Sequence, residues 1–274
     1  VEELARERFA ELARRPEPEI DLAEGALWIA AEAYPGLDVA AYLAKLDELA
    51  AALHPVVGEG ALRERVLRLN RGLFREHRFA GNRRDYYDPR NSFLNEVLDR
   101  RLGIPLTLAL VFVEVAQRLG IPAVGVCFPG HFLAKVPGAE EIVVDAFAGT
   151  LLAEADCRTR FQRVMGADAT FGPDALRAAR PREILARMLG NLKRIYLERR
   201  DFLLALGCCD RLLLLDPDAP AELRDRGLLY QRLECFAAAV ADLERFLQLA
   251  PGHSAAPGVR RVLRPLREQA RRVH

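Results

Sequence analysis

From Leu189 onward the chain repeats itself at an interval of 34 residues. Leu189, Tyr196, Phe202, Ala205, Leu213 and Asp216-Pro217 return as Leu223, Tyr230, Phe236, Ala239, Leu247 and Ala250-Pro251. Amphipathic helices in general keep a 3.6-residue spacing, but they do not keep a closing proline in phase, so the interval marks a copied unit. Each unit has room for a pair of helices, and the small Ala205 and Ala239 let a partner helix approach closely. Two copies fall below the ~3 that a free-standing stack requires. The repeats are therefore expected to lean on the preceding domain and on a last helix over 259–272. The chain from about Pro181 is predicted to be helical to its end.

Before that point the pattern is mixed. Residues 1–53 carry charged and apolar positions at helical spacing, broken at Arg15-Pro16-Glu17-Pro18 and at Pro35-Gly36, which predicts three helices. A fourth is expected over about 60–79, and a fifth with Ser92 as its cap and Gly103 as its end. Gly103-Ile104-Pro105 then opens a segment that is apolar nearly all round as far as Gln117-Arg118. Proline suits a first helical turn, where its missing N–H has no intrahelical partner to lose. A helix without a polar face is predicted to be the buried centre of its domain.

Strand-forming residues follow at Ala123–Cys127, His131–Val136 and Glu141–Phe147, separated by Pro129-Gly130 and Pro137-Gly138-Ala139. A hairpin centred on Gly138 sets Lys135 opposite Glu141, Leu133 opposite Val143 and His131 opposite Asp145. Opposed Cβ atoms lie ~4.5–5.5 Å apart, so the imidazole and the carboxylate are expected within hydrogen-bonding reach.

Composition narrows the function. Forty basic against thirty-nine acidic residues leave a net charge of +1, which argues against a globally basic nucleic-acid binder. Arginines do cluster over 62–101 and again beyond Gly258, with Tyr86 and Tyr87 near the first cluster. No helix-turn-helix, RNA-binding or phosphate-loop motif accompanies them, so they are read as solvated faces. The five cysteines, Cys127, Cys157, Cys208, Cys209 and Cys235, show no C-x-x-C spacing, and His54 and His77 stand alone. Neither a disulfide framework, a metal site nor a cofactor is expected. No apolar run approaches ~18 residues and no signal segment opens the chain, so a cytoplasmic protein with no membrane contact is expected.

The order of parts resembles a known family. A buried helix opens at Gly-Ile-Pro, and two strands bearing His131 and Asp145 follow. Tyr87-Asp88-Pro89-Arg90-Asn91-Ser92-Phe93-Leu94-Asn95-Glu96-Val97-Leu98 and Phe128-Pro129-Gly130-His131-Phe132-Leu133 are similar to the core of the bacterial SirB-type proteins, as is Arg224-Asp225-Arg226-Gly227-Leu228 in the repeats. Those proteins join a transglutaminase-like, papain-like core to tetratricopeptide repeats. The resemblance implies an α+β core with a helical N-terminal region, followed by an all-α repeat domain. The expected divisions are 1–58 for the N-terminal helices, 59–180 for the core and 181–274 for the repeats.

The resemblance also implies a Cys–His–Asp triad, in which a thiolate forms at the helix start beside the imidazole and the aspartate fixes the tautomer. His131 and Asp145 match two of its members. The helix start reads Pro105-Leu106-Thr107, and no cysteine precedes Cys127. A threonine hydroxyl ionises far less readily than a thiol. Cys127 precedes His131 by four residues on the same extended stretch, ~13 Å away at strand spacing. The expectation is therefore a non-catalytic scaffold or regulator whose repeats bind a protein or peptide. The alternative is an acyl-transfer hydrolase, peptidase or transamidase using Thr107 or Cys127 with His131 and Asp145.

Overall fold

The computed structural model describes residues 2–272 and divides into two compact units, one reaching Met188 and one starting at Leu189. The first opens with α1 (Glu2–Arg14), α2 (Leu22–Ala33) and α3 (Val39–Val57). Asp21 and Asp38 begin α2 and α3, their carboxylates accepting from the N–H groups of Glu24 and Ala41 at 2.8 and 3.0 Å, which satisfies donors the first turn leaves unpaired. The helix expected over 60–79 is shorter: α4 spans Leu62–Arg71 and widens into a single π-type stretch over Gly72–Glu76.

A two-residue strand β1 (Ala80–Gly81) leads through a short 3-10 turn to α5 (Leu94–Arg100) and β2 (Leu102–Gly103). Ser92 does not cap α5. It lies in the preceding turn over Pro89–Ser92, with its buried hydroxyl unbonded, and Phe93 occupies the cap position. Arg101, with φ of 60°, ends the helix two residues earlier than Gly103. The main sheet is wholly antiparallel, as its sequence predicts, but β1 and β2 form a separate parallel pair, Ala80 with Leu102 and Gly81 with Gly103.

The helix α6 (Pro105–Arg118) has Pro105 in its first turn, and every residue from Pro105 to Ala116 is buried. Its one acid in that run, Glu114, is held by Arg118 at 2.6 Å, and burial raises its pKa. The sheet that follows has the order β3 (Val124–Val126), β4 (Leu133–Val136), β5 (Ile142–Asp145) and β6 (Thr150–Leu152). The predicted hairpin register is displaced by two residues: Lys135 pairs with Val143 and Val136 with Ile142. The connection takes up five residues, 137–141, rather than a tight turn at Gly138. A shift of two keeps every side chain on its expected face, because strand alternation has a period of two. Lys135 still reaches Glu141 diagonally, at 2.8 Å.

Period-two alternation also decides what each face covers. Val126, Leu133 and Val143 share a buried cluster with Cys157 of α7 (Glu154–Met165). The alternate residues Ala134, Val136 and Val144 are buried on the other side, where α6 packs across β3, β4 and β5. The helix α8 (Pro181–Arg199) begins in the first unit and ends in the second.

The second unit contains α9 (Phe202–Leu215), α10 (Pro220–Arg232), α11 (Phe236–Leu249) and α12 (Ala256–Arg272). Its core gathers Leu213, Leu223, Ala239, Leu243 and Phe246, closed by Val259, Leu263 and Leu266 of α12. Gly227 of α10 packs so tightly on Leu243 that a Cβ there would lie 2.8 Å from its Cγ. Arg226 joins Asp210 and Asp242 at 3.0 and 2.7 Å across three consecutive helices. Arg200 and Glu234, 34 residues apart, both adopt the left-handed conformation, with φ of 63° and 59°, so the turn between paired helices is copied along with the helices.

Candidate functional site

Asp145 is the last residue of β5, and its side chain is only 2% exposed. Its Oδ1 faces His131 Nε2 at 3.0 Å and accepts from the N–H groups of Phe147 and Ala148 at 3.1 and 3.2 Å. Its Oδ2 accepts from Arg160 Nη1 at 2.6 Å. Burial alone would raise the carboxyl pKa, but the bonds and charges of His131 and Arg160, with the backbone donors, bring it down to about 2. The group is a fixed anion.

His131 is not on a strand opposite Asp145. Pro129-Gly130 forms a turn in which Gly130 takes φ of 67° and His131 N–H donates to the Phe128 carbonyl at 3.1 Å. The imidazole sits two residues before β4 and reaches across to the end of β5. Arg160 is the partner that sequence reasoning missed. It lies on α7, 15 residues beyond Asp145, and the only local hint is the amphipathic Glu154–Met165 run closed by Gly166.

His131 opens onto a cavity of about 580 Å³ between the Phe128–Gly130 turn, β6 and α7, lined also by Thr150, Arg160 and Arg163. No residue of α6 lines it. Asp145 follows Val143 by two, so the pair falls on the α7 face of the sheet, away from the face that α6 covers. Arg160 of α7 bonds Asp145 directly, whereas the start of α6 is reached from His131 only through Phe147 and the β1–β2 pair.

Thr107 is fully buried in the first turn of α6. Its hydroxyl donates to the Asn91 carbonyl at 2.7 Å and accepts from Ile104 N–H at 3.1 Å. Asn91 is buried beside it as a turn residue, accepting from Asn82 and donating to the Asp85 carbonyl. The contacts that connect Thr107 to His131 are indirect. Thr107 abuts Gly103; Gly103 pairs with Gly81; and the Gly81 backbone lies so near the Phe147 ring that a Cβ there would come within 2.5 Å of it. Phe147 in turn meets His131 edge-to-face at 6.3 Å and Tyr86 at 5.9 Å, with the Arg83 guanidinium over its ring.

Cys127 is half-buried and faces the charges of Arg187, Glu183 and Arg177; burial raises its thiol pKa. Cys157 is fully buried behind the cavity wall and its thiol is likewise raised by burial. Neither lines the cavity.

Comparison with known proteins adds relatives to this geometry. Residues 40–190 match the transglutaminase-like superfamily, and residues 192–271 match the tetratricopeptide repeat. The chain is 40% identical over 260 residues to a UPF0162 protein of Xylella fastidiosa, covering 92% of each chain. It is 39% identical over 230 residues to a UPF0162 protein of Pseudomonas aeruginosa, covering 84% of each. With protein SirB1 of Salmonella typhimurium it shares 31% identity over 161 residues, 58% of this chain and 60% of that one. No solved structure matches it.

Proposed function

Because this chain belongs to the SirB-type family, in which a transglutaminase-like core is joined to tetratricopeptide repeats, we propose that it is a non-catalytic member acting as a protein-interaction scaffold or regulator. The repeats hold a protein or peptide partner, and the core keeps its His–Asp pair for recognition rather than turnover. One observation carries this reading: the cavity onto which His131 opens is lined by no cysteine and does not include Thr107. Acyl transfer of this type needs a nucleophile activated as a thiolate against the imidazole. The hydroxyls that do line the cavity belong to Thr150 and Thr159, and Thr159 spends its own on the Ala155 carbonyl.

Five cysteines, none in a disulfide, fit a reducing compartment, and we place the protein in the cytoplasm. No helix among the described residues is long and apolar enough to cross a membrane. The test is an assay of transamidation, deamidation and peptide hydrolysis by the purified chain, by Thr107→Cys and by His131→Ala. All three are expected to be inactive, since a thiol at 107 remains fully buried against Gly103. Turnover by the unmodified chain that His131→Ala abolishes would establish the acyl-transfer alternative.

A further inference from the structure

The cavity beside His131 offers donors and few free acceptors. At about 580 Å³ it lies within the ~300–1,000 Å³ that hold small organic ligands. Arg163 makes no hydrogen bond or ion pair with the described residues, and Arg160 spends a single nitrogen, Nη1, on Asp145. The Thr150 hydroxyl is equally unbonded among them. Of the acids nearby, Asp145 has four donors and is closed to solvent, while Asp156 spends Oδ2 on Ala153 N–H at the start of α7 and keeps Oδ1 open. A ligand placed here meets the guanidinium edges of Arg160 and Arg163. Planar guanidinium forks match carboxylate geometry best.

The remainder of the wall is apolar. Leu151 and Leu152 contribute to it, and Val164 stands 53% exposed at its rim, followed by Met165 at 56%. Exposed aliphatic side chains beside a cationic pocket suit a ligand that has an apolar body as well as an anionic head.

We propose that this cavity binds a carboxylate carried on an apolar body, the head on Arg163 and the free edge of Arg160 beside His131, the body along Leu151, Leu152 and Val164. The proposal rests on the reading that His131 serves recognition. The same head group is found on small organic acids and on the C-terminus of a peptide ending in an apolar residue.

The experiment follows the imidazole NMR signals of His131 in the full chain, assigned with His131→Asn, during titration with hexanoate, N-acetyl-leucine and the neutral hexanamide. Both acids are expected to move those signals saturably, and hexanamide to bind at least about tenfold more weakly, the share of a charge-assisted bond. Arg163→Gln, at an exposed and unpartnered position, is expected to weaken both acids by about tenfold with an unchanged melting temperature. Tighter binding of N-acetyl-leucine than of hexanoate assigns the ligand as a chain terminus, and the reverse order assigns it as a free acid. The proposal is overturned if neither acid shifts His131 saturably, if hexanamide matches hexanoate, or if Arg163→Gln leaves both affinities unchanged. Amide turnover is a separate readout: it overturns the non-catalytic reading, while these shifts decide acid binding.

Discussion

Asp145 shows how much one side chain can carry. Four donors converge on its two oxygens, and its pKa falls from 3.8 to about 2. Because the folded value lies below the unfolded one, the native state favours the ionised form. The resulting stabilisation, about 2 kcal/mol, is complete above the unfolded value near pH 4 and is lost as pH falls toward 2. Asp145→Asn is therefore expected to destabilise the chain by about that amount at pH 7, with the gap to wild type narrowing between pH 4 and pH 2; urea unfolding of both proteins across that range checks it. Gly103→Ala is expected to cost about 1–3 kcal/mol in the same measurement, since its Cβ would sit 2.7 Å from the Thr107 hydroxyl oxygen. That His131 and Asp145 come together was legible from their closeness in a short hairpin, but the route was not: His131 reaches Asp145 from the turn before β4, not from a paired strand position. Arg160 was not, since its meeting with Asp145 depends on where α7 folds back, and no local pattern encodes that return.

At the scale of elements, the repeats were the most readable part. Their 34-residue phase fixes helix lengths, the closing prolines and the left-handed turn residues together. What the phase does not give is the polar contact threading the helices. Arg226 bonds Asp210 and Asp242, which hold its pKa well above the ordinary arginine value. Arg226→Met removes the cation that Asp210 and the buried Asp242 share, and an expected loss of about 2–4 kcal/mol would appear as a lower thermal midpoint by circular dichroism. In the core, the positions and faces of β3, β4 and β5 followed from sequence, whereas β1, β2 and β6 did not. The register did not, because a five-residue connection and a three-residue one share the same turn residues. Ser92 failed as a cap for a similar reason: Asp88 four residues earlier captures the local backbone, accepting from Arg90 N–H at 3.0 Å, and starts a 3-10 turn instead.

Across the whole molecule the cysteines report on burial independently of any ligand. Cys157, Cys208 and Cys209 are fully buried, Cys127 is half-buried, and Cys235 is exposed. Thiol titration of the native chain is expected to label Cys235 first and Cys127 more slowly, with the remaining three reacting only on unfolding; mass spectrometry of the labelled peptides reads the order. Rapid labelling of Cys208 or Cys209 would contradict the packing of α9. The overall balance of charge, +1, speaks only against a uniformly basic surface. It could not reveal that Arg160 and Arg163 gather at the His131 cavity with Asp156 as the one acid in its lining, because a sum over the chain erases position.

The ring of Phe147 between Gly81 and His131 has a bearing on ancestry. A cysteine introduced at 107 stays sealed beneath the β1–β2 backbone, and removing Phe147 by itself opens a void beside Gly81 with nothing reactive behind it. On the proposed reading, neither substitution alone brings a thiol to the imidazole. A thiol at 107 and an opening past Phe147 would have to arise together.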